Sequence, residues 1–213
     1  MKVERIPEKN WEESWKTYYH PIRLTDRVIV EPPWEAFQGD ADVRIVMDPG
    51  MAFGTGTHAT TALCVQMIDR FLKPEDRVID VGTGSGILAI AAAQLGAHDV
   101  RAYDIDEVAV KVARQNVAEN KVDSLISVEK NHLLHGIEDR AQLIVANILA
   151  EIIVDLAPDV ARILAPDGVF IASGIIEDKK QMVADSLRGN GLDVFEEALE
   201  EGWVALVSRK GSK

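Results

Sequence analysis

Residues Val78-Ile79-Asp80-Val81-Gly82-Thr83-Gly84-Ser85-Gly86 decide the fold. An apolar run of strand character ends in an acid and passes at once into a glycine-rich turn. Eighteen residues past the turn, a second apolar run, Val100-Arg101-Ala102-Tyr103-Asp104, ends in another acid. Glycines let backbone approach a ligand closely, and a carboxylate about twenty residues on takes two ribose hydroxyls. The pattern describes a nucleoside held at the carboxyl edge of a parallel sheet. The spacing is Gly82-x-Gly84-x-Gly86, not the G-x-G-x-x-G form that aims a helix N-terminus at a pyrophosphate. With Asp80 just before it, the tighter turn suits a ligand that has no phosphate and has a cationic end. S-adenosylmethionine has those parts: adenosine, an amino-acid tail and a sulfonium.

Outward from this unit, strands and helices alternate. Strands are expected at Val43–Met47, Arg77–Val81, Val100–Asp104, Leu125–Val128, Ala141–Ala146 and Val169–Ser173. Helices are expected from Thr57 to about Leu72, Ile87–Leu95, Glu107–Asn120, Ile152–Leu164 and Asp178–Arg188. Gly96 closes the second helix. Val108, Val112 and Ala113 are read as the inward side of the third. Pro166-Asp167-Gly168 is read as a turn. Leu192–Leu199 and Trp203–Ser208 form a closing hairpin. Such alternation demands helices on both faces of a parallel sheet. The fold class is therefore α/β and Rossmann-like, with about seven mostly parallel strands and an antiparallel C-terminal hairpin.

Residues 1–35 read differently. They hold Trp11, Trp15, Trp34, Tyr18-Tyr19 and prolines at 7, 21, 32 and 33. Trp11, Trp15 and Tyr18 stand at helical spacing, and Arg27–Glu31 reads as a short strand. This segment is expected to be a linker or cover, with the main domain running over 36–213.

The chain has 213 residues and a net charge of -12, which disfavours direct binding to a phosphate backbone and favours a basic protein partner. No apolar run reaches membrane-spanning length. The single cysteine, Cys64, excludes an internal disulfide and fits a reducing cytoplasm as a buried structural thiol. The five histidines show no pairing at metal-ligand spacing, so no metal is expected.

Three clusters carry the chemistry. In the first, Asp80 orders the turn near the cationic end of the ligand, while Gly82, Thr83 and Gly84 pass beneath it. Asp104 binds the ribose, Ile105 adjoins it, and Asp106 caps the next helix. The second is the long loop Asp48-Pro-Gly-Met-Ala-Phe53-Gly-Thr-Gly-Thr57-His58-Ala-Thr60-Thr61. A loop of this kind is expensive to order unless used. Thr57 is read as the helix cap, Thr60 and Thr61 offer hydroxyls toward the sheet edge, and Phe53 lies over the methyl group or lines the substrate channel. His58 is either a base or a loop-ordering residue. The third is Ala146-Asn147-Ile148-Leu149-Ala150. Here the amide carbonyl of Asn147 can grip an amine N–H, or Asn147 is an ordinary turn residue.

At these clusters, and from about Val3 to the C-terminus, the chain resembles the ribosomal-protein methyltransferases of the PrmA family. These are class I S-adenosylmethionine enzymes. The resemblance implies cofactor contacts at Thr61, Gly82, Asp104 and Asn147, with Phe53 nearby. It implies N-methylation of lysine side chains and of the α-amino group of a ribosomal protein. The family carries an N-terminal recognition domain ahead of a tryptophan-rich linker. This sequence begins at a stretch resembling that linker, Trp11-Glu-Glu-Ser-Trp15, so that module is expected to be absent.

The reading is of a cytoplasmic monomer that acts on a basic ribosomal protein, with no direct nucleic-acid contact and no membrane span. A cofactor-binding module without turnover and a small-molecule methyltransferase share the same features. A dinucleotide oxidoreductase is disfavoured by the glycine spacing.

Overall fold

The computed structural model describes residues 19–48 and 58–211. At its centre lies β4 (Arg77–Val81), whose β-branched Val78, Ile79 and Val81 are shielded on both faces, as a central parallel strand requires. β5 (Asp99–Asp104) and then β6 (Ile126–Lys130) pair parallel on one side of it. β7 (Ala141–Asn147) and then β8 (Leu164–Ile176) pair parallel on the other. The sheet is completed by β9 (Leu192–Glu200) and β10 (Trp203–Lys210), in the order β6-β5-β4-β7-β8-β10-β9. Only β10 runs antiparallel to its neighbours. The chain reverses its direction of travel across the sheet between β4 and β7. Ligands of open α/β sheets bind in that crevice.

Side chains of alternate sign divide the core in two, because successive strand residues face opposite ways. Val78, Val100, Leu143 and Val145 meet α1 (Ala59–Phe71), α2 (Ile87–Gln94) and α3 (Glu107–Glu119). Ile79, Ile144, Ala146 and Phe170 meet α4 (Ala150–Ile163) and α5 (Lys180–Gly189). Helix α2 is buried on every side from Ile87 to Ala93, which its alanines permit by letting neighbours come close. Helix α4 contains Pro158, which has no N–H to offer the carbonyl of Val154. The hydroxyl of Ser186 on α5 donates to that carbonyl at 3.5 Å and takes up part of the loss.

β1 (Ile22–Arg23), β2 (Val28–Glu31) and β3 (Val43–Val46) form a separate small sheet, with β2 parallel to β3. Asn120, at the end of α3, ties it down by bonding both backbone groups of Val46 at 2.8 Å.

Several expectations need correction. Val108 is 67% exposed, not inward. The buried stripe of α3 is Val110, Val112, Ala113, Asn116 and Val117. The cap expected at Thr57 falls to His58, whose Nδ1 accepts from the Thr60 N–H at 3.3 Å. Pro166-Asp167-Gly168 does not end a turn before β8 but lies within it, at a shift of register against β7. Val43–Val46 joins the small sheet, not the large one. The expected helix around Trp11, Trp15 and Tyr18 lies outside the described residues.

Candidate active site

A cavity of about 370 Å³ opens at the carboxyl ends of β4, β5 and β7. Gly82 forms part of its floor with φ +73°, in the region where glycine alone sits without strain. A Cβ there would lie 2.4 Å from Cγ2 of Ile148. The same Ile148 is seated from the other side by Gly174, where a Cβ would lie 2.4 Å from its carbonyl oxygen. Asp104 stands at the cavity edge, and its carboxylate accepts from the N–H of Gly84 at 2.9 Å and of Asp106 at 3.0 Å. Those bonds fix its orientation and leave lone pairs for a ligand. Asp106 in turn caps α3 by accepting from the Val108 N–H at 2.9 Å.

Asp80 is fully buried beneath the turn. Its Oδ2 accepts from the Thr83 hydroxyl at 2.6 Å and from the Ala89 N–H at 3.2 Å. Its Oδ1 is buried without a hydrogen-bond partner. Burial raises its pKa to about 7, the two hydrogen bonds pull it down, and the nearby charge of Asp104 adds to the rise. Thr83 spends its hydroxyl on Asp80, and its N–H goes to the carbonyl of Tyr103 at 3.0 Å. Its two protons therefore shape the turn, and Oγ1 keeps its lone pairs. Cys64 is buried and its thiol pKa is raised by burial, which makes it a poor nucleophile.

Asn147 ends β7, where its side-chain Nδ2 donates to Oγ1 of Thr60 at 3.2 Å. Thr60 and Thr61 are both buried in the first turn of α1. Thr60 is thus brought to Asn147, and neither of them nor Thr61 lines the cavity itself. Ile105, 60% exposed, lines it. Phe53 and Thr57 lie outside the described residues.

Sequence reasoning missed much of the wall. Leu133, Ile148, Leu149 and Ile152 line the cavity, and Leu149 is 67% exposed at its rim. Exposed apolar side chains gathered round a hollow mark a ligand site. The only signal was that Ile148 and Leu149 follow Asn147. His132 also lines the cavity and pairs with His135, with Nδ1 atoms 3.2 Å apart. Among the described residues no group of three or more His, Cys, Asp or Glu is arranged to hold a metal ion. No helix among them is long and apolar enough to cross a membrane.

Strand order, glycine turn and strand-end carboxylate together define the fold of a class I methyltransferase. Comparison with known proteins narrows this. The family model described as ribosomal protein L11 methyltransferase (PrmA) matches residues 1–211. The ribosomal protein L11 methyltransferase of Geobacillus kaustophilus is 50% identical over 212 residues, covering 99% of this chain and 68% of that protein. Its counterpart in Listeria welshimeri is 48% identical over 212 residues, covering 98% and 67%. The crystal structure of ribosomal protein L11 methylase from Lactobacillus delbrueckii subsp. bulgaricus superposes with a TM-score of 0.84 at 39% identity, covering 91% of this chain and all of that one. A tRNA methyltransferase of B. subtilis, TrmK, shares the fold at 18% identity, with a TM-score of 0.59 over 70% of this chain and 65% of that one. The chain belongs to the ribosomal protein L11 methyltransferase (PrmA) family.

Proposed function

We propose that this chain transfers methyl groups from S-adenosylmethionine to lysine side-chain and α-amino groups of ribosomal protein L11. What carries the reading is one cavity, in a member of this family, lined by Gly82 and Asp104, with Asn147 ending the strand next to Ile148 on its wall. The residues fit the cofactor. The floor at Gly82 has no room for even a Cβ. Asp104 would take the ribose hydroxyls. Ile105, Leu133, Ile148 and Ile152 suit a planar heteroaromatic base. Asp80, buried beneath the turn, orders it where the cationic amino-acid end would lie. Thr57 and Phe53 are assigned to the site from the sequence alone.

When bound, S-adenosylmethionine supplies a methyl group activated by its sulfonium and leaves as S-adenosylhomocysteine. The chain's own task is to prepare the amine. A lysine ammonium has no lone pair and an ordinary pKa of about 10.4. Desolvation at an apolar rim favours the neutral amine. Asn147 Oδ1 accepts one N–H, so the nitrogen lone pair is aimed. Positioning then supplies most of the acceleration, and no covalent enzyme intermediate is needed. The net charge of -12 draws a basic protein and repels nucleic acid. The reading is of a cytoplasmic monomer, with no metal in the reaction.

The test is intact-mass measurement of ribosomal protein L11 after incubation with this chain and S-adenosylmethionine. Gains in multiples of one methyl are expected, and none when the target's amines are blocked. A longer relative such as the Geobacillus protein, of which this chain spans about two thirds, gives the reference rate. Transfer that survives amine blocking would overturn the reading. So would tighter binding of a nicotinamide dinucleotide than of S-adenosylmethionine.

A further inference from the structure

An amide has a donor end and an acceptor end, and half a turn about its last bond exchanges them. Which end of Asn147 is held by Thr60 decides whether the other end can accept an amine N–H. Three contacts outside the cavity decide this, starting from a group that cannot be reversed.

The backbone N–H of Thr60 can only donate, and it donates to Nδ1 of His58 at 3.3 Å. Nδ1 must therefore present a lone pair, which places the ring proton on Nε2. Oγ1 of Thr60 lies 2.9 Å from the same Nδ1. A lone pair cannot donate, so the hydroxyl gives its single proton to the ring. Only lone pairs remain on Oγ1 for Asn147, 3.2 Å away. Asn147 must then turn its Nδ2 toward Thr60, and its Oδ1 is left for the site. The relay is sheltered and braced. Thr60 is 2% exposed, its carbonyl accepts from the Ser173 hydroxyl at 3.4 Å, and the His58 ring meets Trp203 edge-on with centroids 5.0 Å apart.

We infer that His58 and Thr60 are positioning residues that set the polarity of the Asn147 amide, with neither touching the substrate. The inference deepens the proposed function and rests on its assignment of Asn147 Oδ1 as the acceptor of the amine. It also gives the His58 ring a duty other than proton abstraction, since its Nδ1 is already occupied by two donors.

The decisive experiment is a double-variant cycle on the full chain, with methyl transfer to ribosomal protein L11 and cofactor binding both measured. Thr60→Val should lower kcat about tenfold or more while the cofactor Kd stays within about threefold. Thr60→Ser, which keeps the hydroxyl, should restore kcat to within about threefold. In an Asn147→Ala background, Thr60→Val should change kcat by less than about twofold, because the relay then has nothing to orient. Additive losses, or an unimpaired Thr60→Val, would overturn the inference.

A wild-type chain without any methyl transfer tells against the proposed function instead, and the relay is then read by NMR. The nitrogen shifts of His58 should report a lone pair on Nδ1 and a proton on Nε2, with the Asn147 amide protons close to the Thr60 methyl. An Nδ1–H ring, or Asn147 amide signals that do not move in Thr60→Val, would sink it.

Discussion

Two carboxylates stand at neighbouring strand ends and do opposite work. Asp80 at β4 is fully buried, holds one oxygen by Thr83 and Ala89, and leaves the other unpartnered. Asp104 at β5 lies on the cavity wall with both oxygens oriented by backbone N–H groups. Residue type is the same, but Asp80 lies one residue before the end of β4 and Asp104 ends β5. That step, and the depth that comes with it, makes one a support beneath the turn and the other a hand reaching into the hollow. A sequence motif that lists both acids therefore names two different physical roles.

The largest expected effect concerns Asp80 and pH. The folded carboxyl holds its proton up to about pH 7, whereas its ordinary value is 3.8. Below the ordinary value both states are protonated and the group contributes nothing. As pH rises from there, the unfolded chain ionises first and stability falls, until the folded carboxyl ionises too above about 7. At 1.36 kcal/mol per unit the whole loss is about 4 kcal/mol. Denaturant titrations of the ligand-free chain at pH 5 and pH 8 should show wild type losing about 3 kcal/mol more than Asp80→Asn over that interval. Parallel curves would erase the contrast between the two acids.

Asp104→Ala comes next. Two hydrogen bonds to a charged group, at about 1.5 kcal/mol each or more, amount to about a hundredfold in cofactor Kd. Calorimetry should find that loss with the fold intact, and an unchanged affinity would remove Asp104 from the site. Thr83→Val sharpens the comparison from the other side. It strips Asp80 of its hydroxyl donor and should cost about 1–2 kcal/mol of stability near neutral pH, with cofactor Kd altered less than about threefold. A large affinity loss with little change in stability would make Thr83 a ligand contact after all. The smallest effect is expected at Ile105→Ala, where trimming one apolar wall should weaken cofactor binding about threefold to tenfold. Equilibrium binding of the cofactor measures it, and no change would place the base elsewhere in the cavity.

The architecture was legible where local chemistry and burial agree. The β4 strand, its glycine turn and the Asp104 strand end were read directly, because a run buried on both faces and a backbone that must bend sharply each leave a mark in composition. The cap of α1 was misplaced because Thr57 and His58 adjoin, and a hydroxyl is the commoner capping group. Val108 was turned inward because it is apolar, although it stands on the solvent side of α3. β8 runs longer than its apolar run because Pro166-Asp167-Gly168 bulges out of pairing without ending the strand. The cavity wall was least legible. Ile148, Leu149 and Ile152 resemble core residues in sequence, and only the reversal of chain direction between β4 and β7 brings them around a hollow.

Ile148 rests in a slot whose two sides are supplied by strands far apart in the chain, one at Gly82 and one at Gly174. The place of the neighbouring amide is thus defined by atoms that are missing. Engineering aimed at rigidity, which commonly swaps glycine for alanine, would find these positions tempting and would wedge the β7 corner off its seat. An enzyme hardened in that way would keep every named side chain and still lose its aim.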